Sequence, residues 1–354
     1  MLTMTQDRLT IRFPEIHPDA VCHIEFQRTL RIPDDNRSHG LPPGLGRFPL
    51  AHVDDFAARL PAAWHKRGGV FLPMHQAEAM WISFSSNYPF AVKIAAGKIN
   101  AVTGKPWSTE LEGPRNRGGR MGPAVVVDQD YVAIPKQPWL DGFCVEKGKV
   151  RQFVAMPMGQ GYTAEEQITG EAAHGGLQII VYPLKAEHYR PRPSALRSAN
   201  IGGAVAFATA SASNARGLES FSGAMADMGM APGGLMEQTI HKDVYTIDQY
   251  DQSVSAKCFV HLLNSEQYEQ VTGKQPPHAA PTAADYTSMG LPWFKEWAPN
   301  ANALPGGAPL KQLDSVANLG NKKGQSPLPE NTPLPCKPAI IPVTHPNQVR
   351  EGDF

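Results

Sequence analysis

VRQFVAMPMGQGYTAEEQITGEAAHGGLQIIVYPL, residues 150–184, carries apolar side chains on both faces of its two ends and a polar, glycine-containing stretch between them. Runs such as VRQFVAMPM and GLQIIVYPL read as strands sandwiched in a core rather than lying at an edge. KCFVHLLN, from residue 257, repeats the pattern. Between the first two runs, Gly159 and Gly161 form a bend. Thr163-Ala164-Glu165-Glu166 then fits a capping box, in which the threonine hydroxyl and the glutamate three residues on satisfy free amides reciprocally. Gly170 follows where a left-handed residue would end the helix. A phosphate-cradling loop needs G-x-x-x-x-G-K-[ST], and neither this bend nor GKINAVTGK at 97–105 supplies it. The stretch is a strand, a glycine bend, one capped turn and a strand.

Outward from there the same grammar continues. Glycine and proline contribute 65 of 354 residues (32 Gly and 33 Pro), which cuts the chain into short segments and works against long helices. LTIRF at 9–13 and VCHIEFQRTLRI at 21–32 alternate apolar with polar residues, the period of half-buried strands. FAVKIAAGKINAV at 90–102 reads as two strands joined through Ala96-Gly97. AVVVDQDYVAI at 124–134 reads as two more joined through Asp128-Gln129-Asp130.

Helices are expected to be few. VDDFAARLPAAWHK at 53–66 has a stripe at Val53, Phe56, Ala57, Leu60 and Trp64, interrupted by Pro61. ARGLESFSGAMADMG at 215–229 aligns Leu218, Phe221, Met225 and Met228, and SEQYEQVTG at 265–273 ends on a glycine. The fold class is mainly β, bordering on α+β: an antiparallel sandwich or distorted barrel with a few short helices. LKAEHYRPRPSALRSAN at 184–200 is linker-like, giving a β-rich domain over 1–190 and a second β-rich lobe over 191–300 that belongs either apart or to the same fold. Residues 301–354, Pro-, Gly-, Asn- and Lys-rich, are expected to form an extended tail, loose or strapped to the body through PAIIPV.

Charge balances at 33 basic and 33 acidic residues, so no long-range attraction to nucleic acid is expected. Charged Asp7 and Arg8 precede any apolar run of leader length, so no secretory leader is expected. IGGAVAFATASASNA at 201–215 falls short of the roughly 20 apolar residues of a membrane span. Cys22, Cys144, Cys258 and Cys336 are scattered singly with no C-x-x-C pair, which fits reduced thiols in a cytoplasmic protein.

Motifs that carry chemistry are sparse. G-x-S-x-G occurs nowhere. Among 12 histidines the densest cluster is HKDVYTIDQYDQS, where His241 and Asp243 would share one strand face and Asp248 or Asp251 would add oxygen from a turn, a candidate site for a divalent metal ion. The bland alternative is an Asp-rich turn whose side chains bond their own backbone. His261, between Val260 and Leu262, reads as a core histidine. His65-Lys66-Arg67 and Arg115, Arg117 and Arg120 would form an anion-binding lip if their loops meet, and otherwise read as solvated loop charges.

Trp139 with Asp141 in QPWLDG, and Trp293 and Trp297 in LPWFKEW, place rigid indoles after prolines, suited either to a binding surface or to core plugs. Met225, Met228, Met230 and Met236 lie in or beside the Gly/Ala/Ser-rich stretch 201–234, suited to an adaptable contact or to an inner helix. Two functions stay open. One is a non-enzymatic binding or assembly module for a protein or small-molecule partner, working through Trp139, Asp141, Trp293 and Trp297 and the Met-bearing segment. The other is a metal-assisted hydrolase or related enzyme built on His241, Asp243, Asp248 and Asp251.

Overall fold

The computed structural model describes residues 1–115, 128–191, 227–296, 302–326, 328 and 331–343. β1 (Leu2–Thr5) and β2 (Arg8–Arg12) open the chain as a hairpin. β3 (Val21–Thr29), β4 (Ser38–His39), β5 (Gly44–Arg47), β6 (Ala51–His52), β7 (Val70–Met74), β8 (Ala79–Ser86), β9 (Phe90–Ala96) and β10 (Ile99–Asn100) complete the first half. The second half contributes β11 (Val132–Ile134), β12 (Trp139–Leu140), β13 (Gly142–Glu146), β14 (Lys149–Pro157), β15 (Leu177–Pro183), β16 (Asp227–Glu237) and β17 (Ala256–Asn264). These 17 strands form one sheet, and β18 (Trp293–Glu296) with β19 (Ile340–Val343) forms a separate parallel pair. Among the described residues six short helices decorate them: α1 (Ala62–Arg67), α2 (Ala164–Thr169), α3 (Ser265–Thr272), α4 (Ala283–Ser288), α5 (Ala308–Lys311) and α6 (Val316–Lys322).

This is a mixed α+β fold dominated by an extended antiparallel sheet. An unbroken antiparallel ladder runs β11–β9–β15–β17–β16–β14–β8–β3–β2–β1, and parallel pairing enters the sheet only at β4–β16 and β7–β17. The expected sandwich or barrel therefore resolves to a branched sheet, with no closed barrel among the described residues. Branching arises because long strands exchange partners along their length: β3 pairs with β2 through residues 21–24 and with β5 through residues 27–29.

The runs that opened the sequence reading are the heart of this ladder. β15 is buried at every position and β14 at most, whereas β3 alternates, with Cys22, Ile24 and Phe26 inward. Strands on both sides of residue 190 pair directly, β14 with β16 and β15 with β17. The β9–β10 hairpin forms as expected but turns at Gly97-Lys98, one residue later than read. A two-residue hairpin turn of this hand needs positive φ at both central positions, and Gly97 (56°) and Lys98 (64°) supply it. The second half of 124–134 gives β11. Residues 124–127 lie outside the described residues.

The stripe over 53–66 breaks at Pro61, as its ring requires, into a 3-10 turn over Asp54–Arg59 and helix α1. Trp64 is buried in a satellite cluster with Val53, Phe71 and Tyr268. α3 ends on Gly273 at φ 71°.

Two expectations are corrected. The helix read over 215–229 lies outside the described residues up to 226, and its last three residues begin β16. Asp227 and Met228 pair there with Leu263 and Leu262, and Met228 also faces Pro157. Pairing on both edges overrides a helical spacing of apolar residues. The carboxyl-terminal region is not an extended tail over 302–326: Leu304, Leu310, Leu313 and Val316 are buried, and α5 and α6 dock on the body. Gly307 makes this approach possible, because a Cβ there would lie 2.3 Å from the Thr103 carbonyl oxygen. PAIIPV supplies β19, which pairs in parallel with β18.

Candidate binding cleft

The connection from β7 to β8, His75-Gln76-Ala77-Glu78, is built around an unusual backbone. Ala77 sits at φ 64°, a left-handed conformation that costs a non-glycine residue about 1–2 kcal/mol. Its surroundings over-determine it. The Ala77 amide donates to the Ala155 carbonyl at 2.8 Å, and the Ala155 amide donates to the Glu78 carbonyl at 2.9 Å. The Glu78 carboxylate, 6% exposed, accepts from the His75 amide at 2.9 Å and from Nε and Nη2 of Arg28 at 3.0 and 2.8 Å. A buried carboxylate bonded this way is a fixed structural part.

This turn, with the ends of β8 and β14, forms the floor of a cleft of about 890 Å³, within the size range of small-molecule sites. One wall is the start of α3, where the Asn264 side chain accepts from the Glu266 amide at 2.9 Å. α6 and the segment after it also line the cleft. α6 is held by the Ser315 cap and by the Ala317 amide, which donates to Asp34 Oδ2 at 2.9 Å. Lys323 bonds the Gln160 carbonyl and sits 4.1 Å from the Tyr162 ring centroid, and the Tyr162 hydroxyl donates to Gln325. Arg31 Nη2 donates to Asn331 Oδ1 at 2.7 Å. Seven carboxamides line the space: Gln76, Gln160, Asn264, Gln267, Asn321, Gln325 and Asn331. Chemically the cleft offers paired donors and acceptors over small aliphatic side chains.

The glycine bend at 159–161 thus reaches the cleft through Gln160 and Tyr162. Both glutamates that follow are structural. Glu166 completes the capping box with Thr163 and also accepts from the Gly161 amide at 2.8 Å. Glu165, 3% exposed, accepts from the amides of Ala173, His174 and Gly175 and from His174 Nδ1 at 2.8–3.1 Å.

The residues singled out from the sequence fall elsewhere. Trp139 lies half-buried on β12 opposite Ser83. Asp141 is buried against Gln238, whose Oε1 accepts from the Asp141 amide at 3.0 Å and whose Nε2 donates to Asp141 Oδ2 at 2.6 Å. Trp293 is a core plug, 1% exposed, with Nε1 donating to Thr287 Oγ1 at 3.2 Å. Trp297 and Met225 lie outside the described residues, and Met228, Met230 and Met236 are buried.

Asp243 Oδ2 accepts from the hydroxyls of Tyr131 and Tyr250 at 2.9 and 2.7 Å, and Oδ1 from the Tyr245 amide at 3.0 Å. Burial, reinforced by this carboxylate, pushes both tyrosine hydroxyls far above their usual range. The His241 backbone amide donates to Gln137 Oε1 at 3.0 Å, and the Asp248 carbonyl accepts from Lys185 at 2.8 Å. Asp251 Oδ1 accepts from the amide and hydroxyl of Ser253. Among the described residues no three His, Cys, Asp or Glu side chains are grouped to hold an ion. His261 is a core histidine, stacked 4.3 Å from both the Trp64 and the Phe259 rings. Arg67 donates to the His174 and Ala173 carbonyls and lies over Phe259.

The cleft residues escaped sequence reading because each segment contributes one or two, and no spacing links them. Their one local trace is the density of Asn and Gln around 318–331. Comparison with protein-family models, curated proteins and solved structures finds no match for this chain. Among the described residues no helix is long and apolar enough to cross a membrane.

Proposed function

We propose that the protein is a non-enzymatic binding module whose ligand occupies the cleft between the β7–β8 turn, α3 and α6. The observation that carries this reading is the lining: a space of about 890 Å³ bordered by seven carboxamides, in which Glu78, Arg31 and Lys323 already bond within the protein and Glu266 is solvent-exposed. Such a site has the donors and acceptors to hold and orient a molecule and lacks the activated nucleophile or base that turnover requires. Trp139, the candidate indole that is half-buried rather than buried among the described residues, serves in this reading as a separate contact for assembly with a protein partner. The metal-assisted alternative at His241, Asp243, Asp248 and Asp251 is less well supported, because Asp243 already accepts from two buried tyrosines. All four cysteines are free thiols, three of them buried, which supports a reducing, cytoplasmic setting.

Ala317→Trp, on the half-exposed wall helix α6, fills the cleft and tests the proposal. A thermal-shift screen against polar small molecules and peptides should find ligands that stabilise the wild type by about 2.7 kcal/mol at a hundredfold excess over Kd and leave the tryptophan variant unmoved. Stabilisation equal in both proteins would place the ligand elsewhere and defeat the proposal.

A further inference from the structure

We infer that the occupant of this cleft is an extended, uncharged peptide segment of about five residues, a conclusion that rests on the cleft being the binding site. Charge is the first discriminator. Glu78 is held in a fork by Arg28 and by the His75 amide, Lys323 is taken up by the Gln160 carbonyl and the Tyr162 ring, and Arg31 bonds Asn331. Glu78 is neutralised by Arg28, and the other lining charges, Arg31, Lys323 and the solvent-exposed Glu266, are of mixed sign, so the lining does not select for a strongly charged ligand.

Aromatic surface is the second. Nucleobases and sugar rings bind by laying a flat face on an open aromatic ring. Among the described residues the cleft has one carbocyclic aromatic ring, that of Tyr162, which is 2% exposed, with Lys323 over it and its hydroxyl tied to Gln325. The His75 imidazole is likewise fixed, with Nε2 bonded at 2.8 Å to the Pro277 carbonyl. Among the described residues the cleft offers no carbocyclic ring face for stacking.

The remaining lining matches a polypeptide. A carboxamide presents one acceptor and two donors, the same groups that an extended main chain displays in alternation, and main-chain recognition of this kind is how extended peptides are bound. Ala280, Ala317 and Gly320, each half-buried, leave shallow spaces that suit small side chains. Size agrees: at the spacings of packed strands an extended residue fills about 160 Å³, so a cleft of 890 Å³ takes about five.

The test selects phage-displayed random heptapeptides on the full-length protein, with an oligosaccharide array probed in parallel. Enriched peptides are synthesised and titrated calorimetrically against wild type, the exposed-amide double variant Gln76→Ala/Asn321→Ala, and Ala317→Trp, with thermal melts confirming that each variant is folded. The expected result is enrichment of peptides without charged residues over about five positions, at least tenfold weaker binding to the double variant, and none to Ala317→Trp. No enrichment, or enrichment of acidic or basic peptides, overturns the peptide assignment. An oligosaccharide that binds wild type and is lost on Ala317→Trp also overturns it while sparing the cleft. Peptides that bind Ala317→Trp as well as wild type refute both.

Discussion

His261 gives the most direct handle on how burial sets the behaviour of this fold. Its imidazole is 1% exposed, stacked between Trp64 and Phe259, with Nε2 3.1 Å from the Gly68 carbonyl. Burial lowers its pKa from 6.5 to about 4; the Gly68 bond opposes the shift and the Arg67 charge adds to it. Because the folded pKa is depressed, the unfolded chain takes up the proton first as pH falls. The contribution is therefore complete above about pH 6.5 and is lost progressively down to about pH 4. A shift of this size corresponds to about 3 kcal/mol in full, of which about 2.5 kcal/mol is gone at pH 4.5. Urea unfolding at pH 7.5 and 4.5 measures it, comparing wild type with His261→Phe, which keeps the ring stack and cannot titrate. Carboxylates elsewhere, including Asp227, whose pKa burial raises, act in both proteins and drop out of the comparison. Wild type should lose about 2.5 kcal/mol more than the variant between the two pH values. Equal losses would refute the assignment of a buried neutral imidazole.

Two further outcomes follow from other buried charges. Lys93 (1% exposed) and Asp130 (3%) pair at 2.5 Å, with Lys93 also donating to Ser108 Oγ at 2.8 Å and to the Glu110 carbonyl, so the pair anchors the 105–113 loop to β9. Burial pushes the Asp130 carboxyl up while the Lys93 ammonium opposes it. Asp130→Asn should cost about 3–5 kcal/mol in urea unfolding, and Lys93→Met/Asp130→Leu should recover most of it; a double variant no better than the single would contradict this. Asp243→Ala strips the acceptor from two buried tyrosine hydroxyls and should cost about 2–5 kcal/mol with or without EDTA. A cost that appears only without the chelator would return Asp243 to metal binding.

Much of the sheet was legible because its central strands had no polar face to hide. β14, β15 and β17 announce themselves by apolar residues on successive positions, and β3 by strict alternation. Legibility failed where distant partners decide the conformation. Met228 joins β16 because β17 and β14 pair with it, and neither lies within a helical window of it. Leu304, Leu310, Leu313 and Val316 are diluted among Pro, Gly and Lys, so average composition concealed a segment that docks one side chain at a time. The turn at Gly97-Lys98 escaped by one residue because lysine in a left-handed position is a context effect.

The candidate site was missed for a reason that is physical rather than statistical. A buried carboxylate or ammonium is tolerated only when paired and bonded, so in a glycine- and proline-broken sheet the conspicuous ionisable residues go to holding loops. Asp243 clamps two tyrosines, Glu165 gathers the 173–175 amides, Asp141 meets Gln238, and Lys93 pins the loop above β9. A search for reactive residue types finds these structural clamps first. The proposed site is bordered instead by carboxamides supplied one or two at a time by the β7–β8 turn, the 160 bend, the start of α3, α6 and the segment beyond it. Only the folded chain brings those amides to one place, so no spacing in the sequence could have pointed to them.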